Sequence, residues 1–320
     1  MKKIVLFLLV FFSYSVNAQI VPSFLGVYDK KNPNSTGTVT FTNCSSTGKS
    51  GPSQSDCNTS YSGTSLEGDV TLSSGIQLWT VPTTATYTIE VWGAKGGYEG
   101  GCHSNGVGSS NCHGANGARM KGEFNLTSGD ILRIAVGQRG ESYILSSTQG
   151  GGGGAGGSFV AKGNDHSSAT KLIIAGGGGG GHYYSGSNPI PGQITEAGLG
   201  NSSTGSGYGA AGGGSWSSDG ADGTYNSKGG KGWANLLVGG DRTPDGSSNS
   251  HWSRGDGGFG GGGGGSWAAG PGGGYNGGPL VTSYGNLTPG GSGGGSYNGG
   301  ANQDNSIGVG DSNGKVIITW

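Results

Sequence analysis

Lys315-Val316-Ile317-Ile318-Thr319-Trp320 closes the chain, and its reading decides the fold. The segment is too apolar for a solvated tail and reads as a strand. It follows a tract, residues 150–310, with glycine runs at 150–154, 176–181 and 260–265 interleaved with Trp and Tyr. Glycine makes up 78 of the 320 residues, against about 7% in an average protein. With no Cβ it buries nothing and costs more backbone entropy than any other residue, so the tract either stays disordered or orders through its backbone. A strand beyond the tract needs partners that precede it, so the tract leaves a domain and returns to it.

Those partners are legible as short segments of period-two alternation: Thr38 to Thr42, Ile76 to Val81, Ala85 to Trp92, Arg119 to Leu126, Asp130 to Val136, Ser158 to Ala161 and Lys171 to Ala175. β-Branched and aromatic enrichment with Gly, Pro and Ser boundaries marks strands, and no helical period of comparable quality occurs. The pattern predicts an all-β antiparallel sandwich. It divides the chain into a signal peptide at 1–18, a flexible lead-in at 19–37, a β-sandwich at 38–175, a glycine-rich insertion at 176–310 and a final strand at 311–320.

For the insertion, polyglycine offers the three-residue-per-turn geometry of polyproline II, with outward-pointing N–H and C=O groups that neighbouring helices can satisfy. Each such bond nets only about 0.5–1.5 kcal/mol against about 1–2 kcal/mol of ordering entropy per residue, so the bundle needs a sandwich clamping its ends. Collagen is excluded, because no strict Gly-X-Y period exists and there are only 10 prolines. A flexible linker is the competing reading.

Lys2 and Lys3, the apolar run 4–12 and Val16-Asn17-Ala18 before Gln19 have the layout of a secretory signal peptide. That run is shorter than the roughly 20 residues of a spanning helix, so no membrane span is expected. A net charge of −1 with 11% charged residues excludes a nucleic-acid partner, which needs clustered Lys and Arg. Four cysteines in an exported chain predict two disulfides. They allow three connectivities, and proximity favours Cys44 with Cys57 and Cys102 with Cys112.

Motifs with catalytic or ligand chemistry do not survive their context. Cys44 to Ser50 approaches a phosphate loop, but Asn43 stands where glycine is required and no strand leads into a helix. Gly290 to Gly294 matches Gly-x-Ser-x-Gly by the chance that a glycine tract supplies, without the strand-turn-helix of a nucleophile elbow. Cys102-His103 and Cys112-His113 form an awkward zinc set, and Arg254-Gly255-Asp256 is the integrin tripeptide in a composition that generates it by coincidence. Sequons stand at Asn34, Asn43, Asn58, Asn125, Asn201 and Asn286. No enzyme activity and no cofactor or metal are expected.

Aromatic residues among glycines are the candidates for partner binding: Tyr183, Tyr184, Tyr208, Trp216, Tyr225, Trp233, Trp252, Trp267, Tyr275, Tyr284 and Tyr297. They either pack over the glycine segments or present Tyr and Trp with Ser, Gly and Asn in recognition loops.

Phe41-Thr42-Asn43-Cys44, Gly51-Pro52-Ser53-Gln54, Cys57, Tyr61-Ser62-Gly63-Thr64, the stretch Gly75 to Pro82 and Tyr87 occur in that order. Gly93 to Gly97, Phe124-Asn125-Leu126, Val136 to Glu141, Leu172 to Ala175 before polyglycine, Ala210 to Gly214 with Trp216, and Gly257 to Gly261 follow. The series resembles the extracellular glycine-rich domain of the anaplastic lymphoma kinase and leukocyte tyrosine kinase receptor family, across residues 38–320. The resemblance implies a tumour necrosis factor-like jelly-roll sandwich carrying an inserted polyglycine-II helix bundle. It implies extracellular recognition of a protein ligand and supports the Cys44 to Cys57 pairing. Kinase HRD and DFG signatures are absent from the sequence. The polyglycine part, with phrases such as Gly272 to Gly278, is also similar to tip adhesins of tailed bacteriophages. The expectation is a secreted or surface-associated binding module for a protein or glycan partner, with a structural component of a secreted matrix or coat as the alternative.

Overall fold

The computed structural model describes residues 36–98, 112–142, 150–182, 188–198, 209–244, 254–279 and 290–320. The expected signal peptide and most of the lead-in lie outside these residues. So do Cys102, Tyr183, Tyr184, Tyr208, Trp252 and Tyr284, with the sequons at Asn34, Asn201 and Asn286.

Two antiparallel sheets carry the fold. In the first, β1 (Thr38–Phe41), β11 (Lys315–Thr319), β4 (Ala85–Trp92), β5 (Gly117–Leu126) and β10 (Ser306–Gly310) lie in that order. The second runs β2 (Val70–Ser73), β3 (Ile76–Thr80), β6 (Ile131–Ala135), β7 (Ser158–Lys162), β8 (Thr170–Ala175) and β9 (Tyr297–Asn298). The closing strand β11 sits between β1 and β4, with Val39 opposite Ile318 and Ile89 opposite Ile318 on its other side. Alternation decides what each strand buries: Tyr87, Ile89 and Val91 of β4 and Val316 and Ile318 of β11 are sealed. They meet Trp79, Leu132, Ile134, Val160 and Ile173 of the second sheet in one core. Fully burying a Val or Ile side chain contributes roughly 1.5–3 kcal/mol, so β11 is bound into the domain. The Trp320 ring lies 5.5 Å from Tyr87 and 5.8 Å from Trp79.

Besides adding strand β2, which the sequence reading does not list, the structure departs from that reading in three places. A helix, α1 (Gln54–Tyr61), is present, started by a capping box in which the Ser53 hydroxyl accepts from the Asp56 N–H and the Asp56 carboxylate accepts from the Ser53 N–H. It delivers Cys57 to its disulfide with Cys44 and Tyr61 to a buried network, where Tyr61 donates to Gln77 at 2.6 Å and Gln77 donates to the Thr42 carbonyl at 2.8 Å. Second, β9 and β10 come from the stretch 176–310, so the glycine-rich part contributes a strand to each sheet.

Third, glycine packing begins well before residue 176, because the sheet strands themselves run on into it. Segment 93–97 continues β4, 137–141 continues β6 and 176–181 continues β8, while 150–157 leads into β7 and 290–296 into β9. Their N–H groups follow a recurrence of three. Gly151, Gly154 and Gly157 donate to Ser266, Gly263 and Gly260; Gly152 and Ala155 to Gly181 and Gly178; Gly153 and Gly156 to Glu141 and Gln138. All seven bonds are 2.9–3.2 Å. Gly177 and Gly180 likewise reach Gly273 and Gly270, and Gly178 and Gly181 reach Ala94 and Gly97.

Side chains repeat the same spacing at the rim. Asp219 and Asp222 pair with Lys231 and Lys228 of an adjoining segment, at 3.0 and 2.7 Å. The second Asp219 oxygen accepts from the Gly232 N–H and the second Asp222 oxygen from the Gly229 N–H. Both carboxyls are held below the usual carboxylate range. For Asp222 the Lys228 bond is the main cause; for Asp219 burial pushes up but is outweighed by Asn235, the Gly232 N–H and Lys231.

Close approach, rather than unusual dihedrals, is what these positions demand. Among the described glycines of segments 150–157, 176–181 and 290–296, none has positive φ. A Cβ built on Gly179 would sit under 3.0 Å from the Gly291 carbonyl, a separation that real Cβ atoms do not show.

Candidate functional site

The outer face of the second sheet is covered by the glycine-rich tract, and four of the six described candidate aromatics, Trp216, Trp233, Tyr275 and Tyr297, gather there. Ile76, Ala135, Phe159, Ala161 and Ile174 form a second core with Trp233, Leu237 and Phe259, and Trp216, Leu236, Tyr275 and Tyr297 pack partly buried around it. A single turn, Trp233–Asn235, positions the first of these. It is held by Leu236 and Leu237 in the left-handed region, with the Leu237 carbonyl accepting from Gly260 and Gly261.

Trp233 is only 4% exposed, so it is a core residue and not an open binding surface, contrary to its candidacy. Its ring stacks 4.4 Å from His166 and 4.7 Å from Trp216. Trp233 Nε1 donates to the His166 carbonyl at 3.1 Å, and His166 Nε2 lies 2.5 Å from the Trp233 carbonyl. Trp216 ends this column half-buried. Its turn is fixed by Ser215, whose hydroxyl accepts from the Ser217 and Ser218 N–H groups at 3.2 and 2.8 Å. Trp216 N–H donates to the Tyr275 carbonyl at 3.0 Å. Tyr275 and Tyr297 lie 5.2 Å apart, and Lys171 Nζ sits 5.3 and 4.9 Å from their ring centres. The ammonium thus holds the pair by cation–π attraction.

The result is two half-buried aromatic groups on one core, Trp216 stacked on Trp233 and the Tyr275–Tyr297 pair with Lys171, joined by the backbone bond from Trp216 to Tyr275. Trp216, Tyr275 and Tyr297 are brought together; Tyr225, in the left-handed region at φ 54°, and Trp267 are not in this cluster. The Trp267 carbonyl instead accepts from His182 Nε2 at 2.5 Å. Burial pushes the His182 imidazole down to about 4, against the smaller opposing pull of that carbonyl, so it is neutral at pH 7. Sequence reasoning missed His166, in the turn between β7 and β8, and Lys171 of β8, which carry no local signal.

The other motifs are absorbed by structure. Arg254 of the Arg-Gly-Asp tripeptide is 3% exposed. Asp256 donates its N–H to Glu141 at 2.9 Å and accepts from the Arg242 N–H at 2.7 Å. Ser292 of the Gly-x-Ser-x-Gly match is buried, donating to the Pro279 carbonyl at 3.0 Å. Lys49 pairs with Asp241, which raises its pKa, chiefly through that bond. Cys112 is disulfide-bonded. No group of three metal-ligating side chains occurs among the described residues. The Asn43 amide donates to the Ser46 carbonyl, whereas Asn58 and Asn125 are exposed.

No family model matches the chain. It is similar to the leukocyte tyrosine kinase receptor of Mus musculus, 36% identical over 124 residues. That match covers 38% of this chain and 13% of the receptor, so the chain corresponds to a small part of the receptor's length. Among the described residues no helix is long and apolar enough to cross a membrane.

Proposed function

We propose that the chain is an extracellular binding module, secreted or held at a cell surface, in which a rigid glycine scaffold presents aromatic side chains to a protein or glycan partner. The sandwich is of the tumour necrosis factor-like jelly-roll type, and the glycine segments are polyglycine-II helices. The three-residue recurrence of the N–H bonds supports the latter, since that geometry has three residues per turn and outward-facing polar groups. The partial similarity to a receptor and the Cys44–Cys57 disulfide support the extracellular setting. Residues 1–18 serve as the signal peptide, and the module carries no enzyme activity.

The aromatic face at Trp216, Tyr275 and Tyr297 carries this reading. Half-buried Trp and Tyr, locked by stacking, offer large contact area at low entropic cost. Tyr183, Tyr184, Tyr208, Trp252 and Tyr284, which lie outside the described residues, complete the candidate set. The test is a screen of the purified chain against surface glycans and secreted proteins, repeated with Trp216→Ala and with the double variant Tyr184→Ala, Trp252→Ala. The proposal expects a hit weakened about tenfold or more by at least one of these. Binding untouched by both would refute it, and concentration-dependent polymers in size-exclusion chromatography would favour a matrix component.

A further inference from the structure

Four polar groups of the aromatic site have no partner within the protein. The Trp216 indole N–H, the Tyr275 and Tyr297 hydroxyls and the Lys171 ammonium form no hydrogen bond or ion pair with another described residue. All four residues are half-buried rather than sealed. Aromatics that serve the core use the same groups internally. Trp233 Nε1 donates to the His166 carbonyl at 3.1 Å, the Tyr61 hydroxyl to Gln77 at 2.6 Å and the Tyr87 hydroxyl to the Thr83 carbonyl at 2.7 Å.

These four groups are nonetheless fixed. Trp216 stacks on Trp233 through one face, and no other ring of the described residues covers it. Its N–H bond to the Tyr275 carbonyl ties it to the tyrosine pair, and both tyrosine rings hold Lys171. A flat indole face takes the C–H face of a pyranose ring, while the indole N–H and the phenols meet hydroxyls at its edge. A protein hot spot centres instead on apolar anchors in desolvated pockets, and the exposed large hydrophobics of the described residues, Ile307 and Val309, belong to β10.

Lys171 adds a sign to this surface. Ring faces attract the ammonium but carry no net charge, so none of its three donors meets a carboxylate among the described residues. An anionic group placed there gains a charge-assisted hydrogen bond, in a half-buried setting that salt screens less than an open surface. We infer that the site takes an acidic glycan, a sugar chain bearing carboxylate or sulfate groups, with one ring on Trp216 and an anionic group on Lys171. The inference rests on the aromatic-face reading above and narrows its partner to one class.

The test is a calorimetric titration of the purified chain with hexagalacturonate and its full methyl ester, and with a sulfated carrageenan hexasaccharide and its desulfated form. The expected result is saturable binding of at least one acid, about tenfold or more tighter than its neutral counterpart. Whichever acid binds identifies carboxylate or sulfate as the recognised group. Lys171→Met keeps an unbranched stem against the tyrosine rings and removes the charge, so it should abolish the preference, and Lys171→Arg should retain it. Trp216→Ala should weaken acid and neutral form alike. Matching thermal midpoints for Lys171→Met and the parent establish that the variant folds, and Lys171→Gln serves if it does not. Equal binding of acid and neutral form, or of parent and Lys171→Met, overturns the anion site; the aromatic-face reading survives that result if Trp216→Ala still weakens binding. Absence of saturable binding by both acids also overturns the inference, and the aromatic face is then tested by the protein partners of the screen alone. Binding untouched by Trp216→Ala removes the glycan from this face.

Discussion

Replacing Gly179 by alanine tests the glycine scaffold where it is tightest. The new methyl would overlap the Gly291 carbonyl, so segments 176–181 and 290–296 must part. Three hydrogen bonds lie in the path of that movement: Ile190 N–H to Gly291 at 2.9 Å, Gly291 N–H to Gly180 at 2.8 Å and Gly179 N–H to Ile190 at 3.0 Å. At about 1 kcal/mol each the bonds amount to roughly 3 kcal/mol. Overpacking adds about 1–3 kcal/mol, and the lower entropy of the unfolded chain returns about 0.4–1 kcal/mol. The net expectation is a destabilisation on the order of 3–5 kcal/mol.

A disordered tract predicts the opposite sign, since only the unfolded-state term would remain there. Gly63→Ala is the control: its φ is +74° and nothing lies within 4 Å of an added Cβ, so only left-handed strain of about 1–2 kcal/mol applies. Urea denaturation followed by tryptophan fluorescence measures both. A Gly179→Ala protein as stable as the parent would refute close glycine packing.

Further outcomes follow from single residues. His182 has its pKa pushed down to about 4 from 6.5 by burial. The unfolded chain therefore binds the proton first, and stability present above pH 6.5 is lost as the pH falls towards 4, by about 3 kcal/mol in all. His182→Gln should flatten that part of the pH profile in thermal melts, and an unchanged profile would contradict it. Removing the Cys44–Cys57 bridge, which closes a loop of sequence separation 13, should cost about 3 kcal/mol. The Cys44→Ala, Cys57→Ala variant should also speed amide exchange at Gly239 and Phe259. Those N–H groups are held at 2.8 Å by the Lys49 and Gly48 carbonyls of the same loop.

The strands of the core were legible because each buries one face, and alternation records that: Tyr87, Ile89 and Val91 in β4, Val316 and Ile318 in β11. Helix α1 was not, because its eight residues, QSDCNTSY, hold no apolar stripe. Only the Ser53 and Asp56 capping pair announced it. Strand β9 is only two residues long, and β10, SIGVG, leaves Ile307 and Val309 exposed instead of burying them in the core. The pairing of glycine segments has no side-chain record at all, since any glycine can stand for any other. The exception is the three-residue spacing of Asp219 and Asp222 against Lys228 and Lys231, which matches the backbone recurrence. Among the aromatics, Trp233 looked like its half-buried neighbours. Its burial depends on Phe159 and His166, whose approach is set by β7 and the turn after it.

Hydrogen exchange at the amides of residues 176–181 tests the central claim most directly. If these glycines are bonded into the domain that β11 closes, they exchange through the same opening as Val316 and Ile318, with protection approaching that of the global unfolding reaction. Exchange at the rate of an unstructured peptide, while Val316 and Ile318 stay protected, would contradict the account.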